Sequence, residues 1–176
     1  MKVKTKRILI IALAIVILIS CVIIAFSCSH SRTGEPLLTL DKSEISVNLF
    51  MLMLSRQKGY LASSYGYGAK ALQNSFWDSV MDTATGKTYD DYYTAAVLES
   101  AKTYIAALAL FDELNLKLPK SYEEEIDAEL DELIFNDAND SKTEFNNLLA
   151  EYGANYKVLR EAYILEAKIE ALKIYL

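Results

Sequence analysis

Residues 8–26 read ILIIALAIVILISCVIIAF and carry no charge. As a helix rising about 1.5 Å per residue, this stretch covers about 28 Å, close to the hydrocarbon thickness of a bilayer. Four basic residues come just before it: Lys2, Lys4, Lys6 and Arg7. Because basic flanks tend to stay in the cytoplasm, residues 1–28 are predicted to be a cytoplasmic cap and single-pass anchor in the cell membrane. The C-terminal domain is then expected to be extracytoplasmic.

Two other interpretations of this stretch stay open. A cleaved signal peptide also begins with basic residues, but its apolar region usually spans about 7–15 residues. The sequence Leu18-Ile19-Ser20-Cys21 is similar to a bacterial lipobox, in which the cysteine receives lipid, although apolar residues continue after it. Cys28 is followed by polar residues, and Ala25-Phe26 before it fits that box less well. Cys21 and Cys28 are therefore the candidate lipid attachment sites.

The rest of the chain is strongly acidic. Subtracting the four basic residues of the cap from the total of 18 leaves 14 Lys and Arg against 24 Asp and Glu, a net charge of −10. Nucleic acid binding requires a basic face, so this balance argues against it. Both cysteines lie in the first 28 residues, so the remainder has no disulfide and depends on packing.

The pattern after the anchor predicts an all-α fold, with residues 29–37 as a linker and 38–176 as one helical domain. Apolar periodicity indicates a helix over Ser43–Lys58, capped by Ser43 or Asp41. Three glycines favour a flexible loop over Gly59–Gly68. No segment alternates with period two and no hairpin turn signal is found, so we expect at most a brief extended segment near Leu37–Leu40.

The second half contains clearer helix boundaries. Thr88 is a good cap for a helix of about 26 residues that ends near Asn115, before Pro119. The two spacings Ser-x-x-Glu predict capping boxes at Ser121 and at Ser141. Asn155 is expected to cap the last helix.

Catalytic chemistry is hard to build from these residues. His30 is the only histidine and lies in the linker, while both cysteines lie in the apolar stretch. A Ser-His-Asp or Cys-His arrangement therefore cannot be assembled in the helical domain. Glu123, Asp127 and Asp131 recur on one helix face, which is typical of a solvated surface. We expect a protein without enzymatic activity, metal or cofactor.

Several short motifs occur in an order that resembles a known family. They are Phe76-Trp77, Thr85–Tyr92 (TGKTYDDY), Leu114–Pro119 (LNLKLP), Glu151–Gly153 (EYG) and Tyr156–Tyr163. This order is similar to the chaperone region of the PrsA and SurA type extracytoplasmic foldases, which are peptidyl-prolyl isomerases. The likeness covers roughly residues 38–176.

One departure from that family is large. A parvulin isomerase domain normally follows the helical region, and its catalytic residues have no counterpart here. The resemblance therefore implies an all-α, SurA N-terminal-like lobe that binds unfolded or secreted polypeptides without isomerase activity. An adaptor for one folded partner and a truncated isomerase are the alternatives, and a homodimer would complete a partial lobe.

A client-binding surface is predicted in an apolar, tyrosine-lined crevice between the Ser43 helix and the C-terminal helices. Methionines give such a surface adaptability, and aromatic side chains give it contact area. Its candidate residues are Phe50, Met51, Met53, Tyr65, Tyr67 and Trp77.

Overall fold

The computed structural model describes residues 34–64 and 67–176. The predicted anchor, with Cys21 and Cys28, and His30 of the linker lie outside the described residues, as does Tyr65. Residues 34–176 form one compact unit. This unit is mostly helical, which confirms the predicted class at that level.

The brief extended segment expected near Leu37–Leu40 is present, but it is one strand of a hairpin, and a second hairpin lies further along the chain, so the expectation that no hairpin forms was wrong. In the first, β1 (Pro36–Leu40) pairs with β2 (Ser43–Ser46), and in the second β3 (Val80–Asp82) pairs with β4 (Lys87–Thr88). Asp41 turns the first hairpin with φ 53°, a conformation that Asp tolerates. The Asp82 carboxylate accepts a hydrogen bond from the Ala84 amide in the second turn. These turns depend on single Asp residues, which a search for Asn-Gly or Asp-Gly pairs does not detect.

The described helices follow in chain order, with one 3₁₀ helix after the first. They are α1 (Val47–Ser64), the 3₁₀ helix Gly68–Leu72, the single turn α2 (Asn74–Trp77), α3 (Tyr89–Glu113), α4 (Lys120–Ala138), α5 (Lys142–Ala150) and α6 (Tyr156–Tyr175).

Helix α1 differs from its prediction at both ends. It begins at Val47 because Ser43–Ser46 is taken up by the pairing with β1. It also continues through Gly59 to Ser64, where a flexible loop was predicted. Leu61, only 4% exposed, packs in a cluster with Trp77 and Ala71. Burial of Leu61 stabilises this last turn and outweighs the helix cost of a single glycine, about 1 kcal/mol.

Helix caps were predicted correctly in three of five places, and the cap predicted for the first helix, Ser43 or Asp41, was wrong because α1 begins at Val47. The Thr88 side chain accepts from the Asp91 amide and the Asp91 side chain accepts from the Thr88 amide, a reciprocal capping box. The Ser141 side chain accepts from the Glu144 amide, which is one half of the capping box predicted there, and the Asn155 side chain accepts from the Val158 amide. The cap predicted at Ser121 was wrong, because Ser121 lies inside α4, which begins at Lys120 after Pro119.

Helices α1, α3 and α6 pack together around the main core, and α4 and α5 pack against α6. The most deeply buried large side chains of this core are Phe111, Ile45, Leu49 and Leu130. By length and composition alone, α3 is the one described helix that could cross a membrane, a test that core helices also pass. Because Val97, Ile105 and Phe111 are buried in this unit, we interpret α3 as its central helix.

Candidate polypeptide-binding cleft

An open cleft of about 400 Å³ lies between α1 and α3 and reaches one residue of α6. We call it the α1–α3 cleft. It is lined by Met53, Arg56, Gln57, Tyr60, Val97, Ser100, Tyr104 and Glu166. The α1 members recur at intervals of three and four residues, as do those of α3, so each helix contributes a single face.

The walls of this cleft combine apolar area with polar tips. Tyr60 is 60% exposed, while Met53 and Tyr104 are half-buried against the main core. Tyrosine supplies a large apolar ring with a hydroxyl that can donate or accept a hydrogen bond. Methionine is flexible and polarisable, so it adapts to side chains of different shape. Such walls can contact varied side chains without demanding one shape.

One ion pair borders the cleft. The Arg56 guanidinium donates to the Glu166 carboxylate across 2.6 Å, and both side chains are half exposed. An exposed pair of this kind contributes little to stability, at most about 1 kcal/mol. It can therefore open or exchange partners when a ligand brings polar groups to the rim.

Ser100 contributes a hydroxyl group to the wall of the cleft. The Ser100 hydroxyl donates to the Ala96 carbonyl within its own helix, at 3.2 Å. The nearby Tyr163 has its pKa raised, first by burial and then by the negative charge of Glu129, so its phenol stays protonated. Ser100 lines the cleft, and its hydroxyl oxygen can accept a hydrogen bond from a ligand.

A second apolar cluster lies at the opposite end of α1 from the hairpin β1–β2. Trp77 stands at its centre, 9% exposed, and its indole Nε1 donates to the Ala71 carbonyl at 2.9 Å. Tyr67, Phe76 and Tyr89 form a triangle of ring contacts beside it, with centroid distances of 4.6–6.1 Å. The hydrogen bond between the Tyr67 and Tyr89 side chains raises the pKa of Tyr67. This cluster attaches the 3₁₀ helix and α2 to α1 and α3.

The structure separates the residues predicted for the client-binding surface. Phe50 is 8% exposed and Trp77 9%, so both belong to the interior. Met51 is exposed but lies on the side of α1 that faces Gly153. A Cβ atom added at Gly153 would lie 3.3 Å from Met51 Cβ. Tyr67 is half-buried in the aromatic cluster. Met53 alone among the described candidates lines the α1–α3 cleft.

Four residues that line the cleft were not selected from the sequence. They are Arg56, Tyr60, Tyr104 and Glu166. A signal for Tyr60 was present, because it continues the spacing of Met53 and Arg56 on α1. Because Gly59–Gly68 was predicted to be a loop, Tyr60 was not assigned to a face of α1. The approach of Glu166 to Arg56, 110 positions apart, leaves no local trace in the sequence.

Comparisons with protein-family models, with curated proteins and with solved structures find no match.

Proposed function

We propose that this protein is a chaperone-like module that binds unfolded or newly secreted polypeptides and lacks isomerase activity of its own. Residues 1–28 would attach it to the membrane, with the helical lobe on the extracytoplasmic side. The observation that carries the proposal is the open α1–α3 cleft, with Met53, Tyr60 and Tyr104 in its walls. The resemblance of the sequence to the PrsA and SurA chaperone region agrees with this function.

The size of the cleft favours short, extended segments. A volume of about 400 Å³ lies in the range of ligand pockets, about 300–1,000 Å³, and accommodates a few side chains at a time. A folded partner would instead need a complementary face of about 800 Å² on each side. Unfolded chains expose side chains singly, so a cleft of this size fits them better.

The composition of the walls favours weak selectivity. Exposed tyrosine and half-buried methionine give contact area that can repack around different apolar side chains. The acidic surface of the lobe, net −10 after the basic cap, keeps it soluble while apolar groups remain accessible. Both properties are needed by a protein that holds many clients.

The test uses the full chain in lipid nanodiscs and an unstructured, tyrosine- and leucine-rich peptide with a fluorescent label. Fluorescence anisotropy measures the dissociation constant for the wild type and for Tyr60→Ser. Because Tyr60 is largely exposed, its replacement should leave the fold intact and weaken binding by about tenfold.

Tyr122→Ser is the matched control, since Tyr122 is similarly exposed but lies on α4, outside the cleft. It should bind the peptide as the wild type does. Equal affinities for all three proteins would refute the cleft as the site. Failure of the wild type to bind any unfolded peptide, with one folded protein recovered in stoichiometric amount, would support the adaptor instead.

A further inference from the structure

A second cavity, of about 220 Å³, lies on the other flank of α6 from the α1–α3 cleft. We call it the α6 cavity. Its floor is aliphatic and is formed by Leu49, Leu108, Ile164 and Leu165. The β1–β2 turn and the C-terminal turn of α3 form its rim. A floor of this kind suits the methylene stem of a long side chain.

The rim is mainly acidic. Together with an adjoining hollow under the same turn, the cavity is bordered by five carboxylates and two ammonium groups, a balance of three negative charges. The ammonium groups are those of Lys42 and Lys168. The carboxylates are those of Asp41, Glu44, Asp112, Glu113 and Glu161. The local field therefore favours a cation.

Glu161 makes no ion pair with any residue in the described part of the chain. The Glu161 side chain is exposed to water at the mouth of the cavity, while partial burial of its carboxylate raises its pKa and the nearby charge of Lys157 offsets part of this effect. A carboxylate held partly out of water without a partner gains free energy when a cation arrives.

Lys168 shows that the cavity already accommodates an ammonium group. Its Nζ lies 3.8 Å from Asp112 Oδ1 and 5.3 Å from the centroid of the Phe111 ring. Asp112 is also approached by the Ser43 hydroxyl at 3.4 Å. Of the other charged groups in the cavity, Glu44 and Glu161 outnumber Lys42 by one, which leaves a carboxylate for a cation from outside the protein.

We propose that the α6 cavity receives the side chain of a lysine or arginine from a bound polypeptide, which would make basic segments the preferred clients. The apolar stem would lie on the aliphatic floor and the charged head would meet Glu161 and Glu44. This inference rests on the proposed polypeptide binding and adds a charge preference to it.

The test compares two labelled peptides of equal length and apolar content, one with three lysines and one with glutamine at the same positions. Binding to the full chain in nanodiscs is measured for the wild type, Glu161→Gln and Glu170→Gln. Glu170 lies exposed on the same helix and outside the cavity, so its variant removes the same charge elsewhere. The lysine peptide should bind the wild type and Glu170→Gln about fivefold more tightly than the glutamine peptide, and Glu161→Gln should lose this preference.

Glu44→Gln provides a second variant on a different element, strand β2, in which Glu44 is exposed, and should reduce the preference in the same way. Circular dichroism of each variant verifies that the fold is retained. Equal binding of both peptides to the wild type, or an equal loss in Glu161→Gln and Glu170→Gln, overturns the cavity as a cation site and leaves the proposed function standing. Binding of neither peptide overturns both.

Discussion

The Arg160 guanidinium donates two hydrogen bonds to the Asp127 carboxylate, from Nε to Oδ1 at 2.6 Å and from Nη2 to Oδ2 at 3.1 Å. This two-point contact joins α6 to the acidic helix α4. The hydrogen bonds from Arg160 hold the pKa of Asp127 below its usual range. The contact therefore links the stability of the lobe to pH.

Asp127→Asn should destabilise the lobe at pH 7 and much less in acid. The ordinary pKa of Asp is about 3.9, and the folded value is lower, so the wild-type contribution is fully present above pH 4 to 5. It is lost as the pH falls through the folded pKa. Urea unfolding at several pH values measures the difference between variant and wild type, which should shrink towards pH 3. Asp131→Asn, one turn along α4, removes the same charge outside the Arg160 contact and should show no such pH dependence.

Trp77→Phe should destabilise the lobe by about 1–3 kcal/mol. The phenyl ring keeps the contacts with Phe76 and Tyr93. However, the Ala71 carbonyl, inside a buried cluster, loses the hydrogen bond that the Trp77 indole donates to it. Chemical unfolding followed by circular dichroism measures the loss. Tyr92→Phe removes a hydroxyl from a side chain that is 51% exposed and should change the free energy of unfolding by less than about 0.5 kcal/mol. Equal effects of the two substitutions would contradict the role of the buried hydrogen bond.

Thr88→Ala should cost about 1 kcal/mol, because it removes the side chain that accepts from the Asp91 amide at the start of α3. Thr88→Ser keeps the hydroxyl and should restore most of the stability. Ser121→Ala is the informative comparison, since Ser121 carries the same sequence signature but lies inside the first turn of α4. Thermal unfolding should find Ser121→Ala nearly neutral. A loss as large as that of Thr88→Ala would show that α4 begins later in solution.

Replacing two glycines by alanine should change stability in opposite directions. Gly153 has φ +69°, and its added Cβ would lie 3.3 Å from Met51 Cβ, so Gly153→Ala should cost about 1–2 kcal/mol. Gly59 lies inside α1 with open space around the Cβ position. Gly59→Ala should therefore stabilise the lobe by about 0.5–1 kcal/mol. Urea midpoints measure both, and a destabilised Gly59→Ala would contradict a continuous α1.

Local chemistry explains which elements could be predicted. Thr88, Ser141 and Asn155 begin helices through hydrogen bonds to amides three residues away, so the sequence around each cap contains the whole interaction. The apolar spacing of α3 is equally local, and its end near Asn115 was predicted to within two residues. The class of fold follows from such patterns because most of the lobe is helical.

The candidate site was less accessible to prediction. Met53 and Met51 are two residues apart, about 200° around the helix, so only one of them can face the cleft. Which one does so depends on where α3 and α6 pack, and this is decided by the core that Leu49 forms with Leu108 and Leu165. The same packing places Phe50 and Trp77 in the interior, although their types suit a binding surface equally well.

The amino-acid sequence by itself determined the helical character of the lobe, the caps of three helices and the acidic balance of its surface, because these properties arise from residues close together in the chain. The tertiary structure decided where α1 ends and the composition of both cavities. Those features depend on contacts between distant residues, such as Arg56 with Glu166 and Ser43 with Asp112, 110 and 69 positions apart. Such contacts form only when the apolar faces of several helices are buried together, and no single stretch of sequence encodes them.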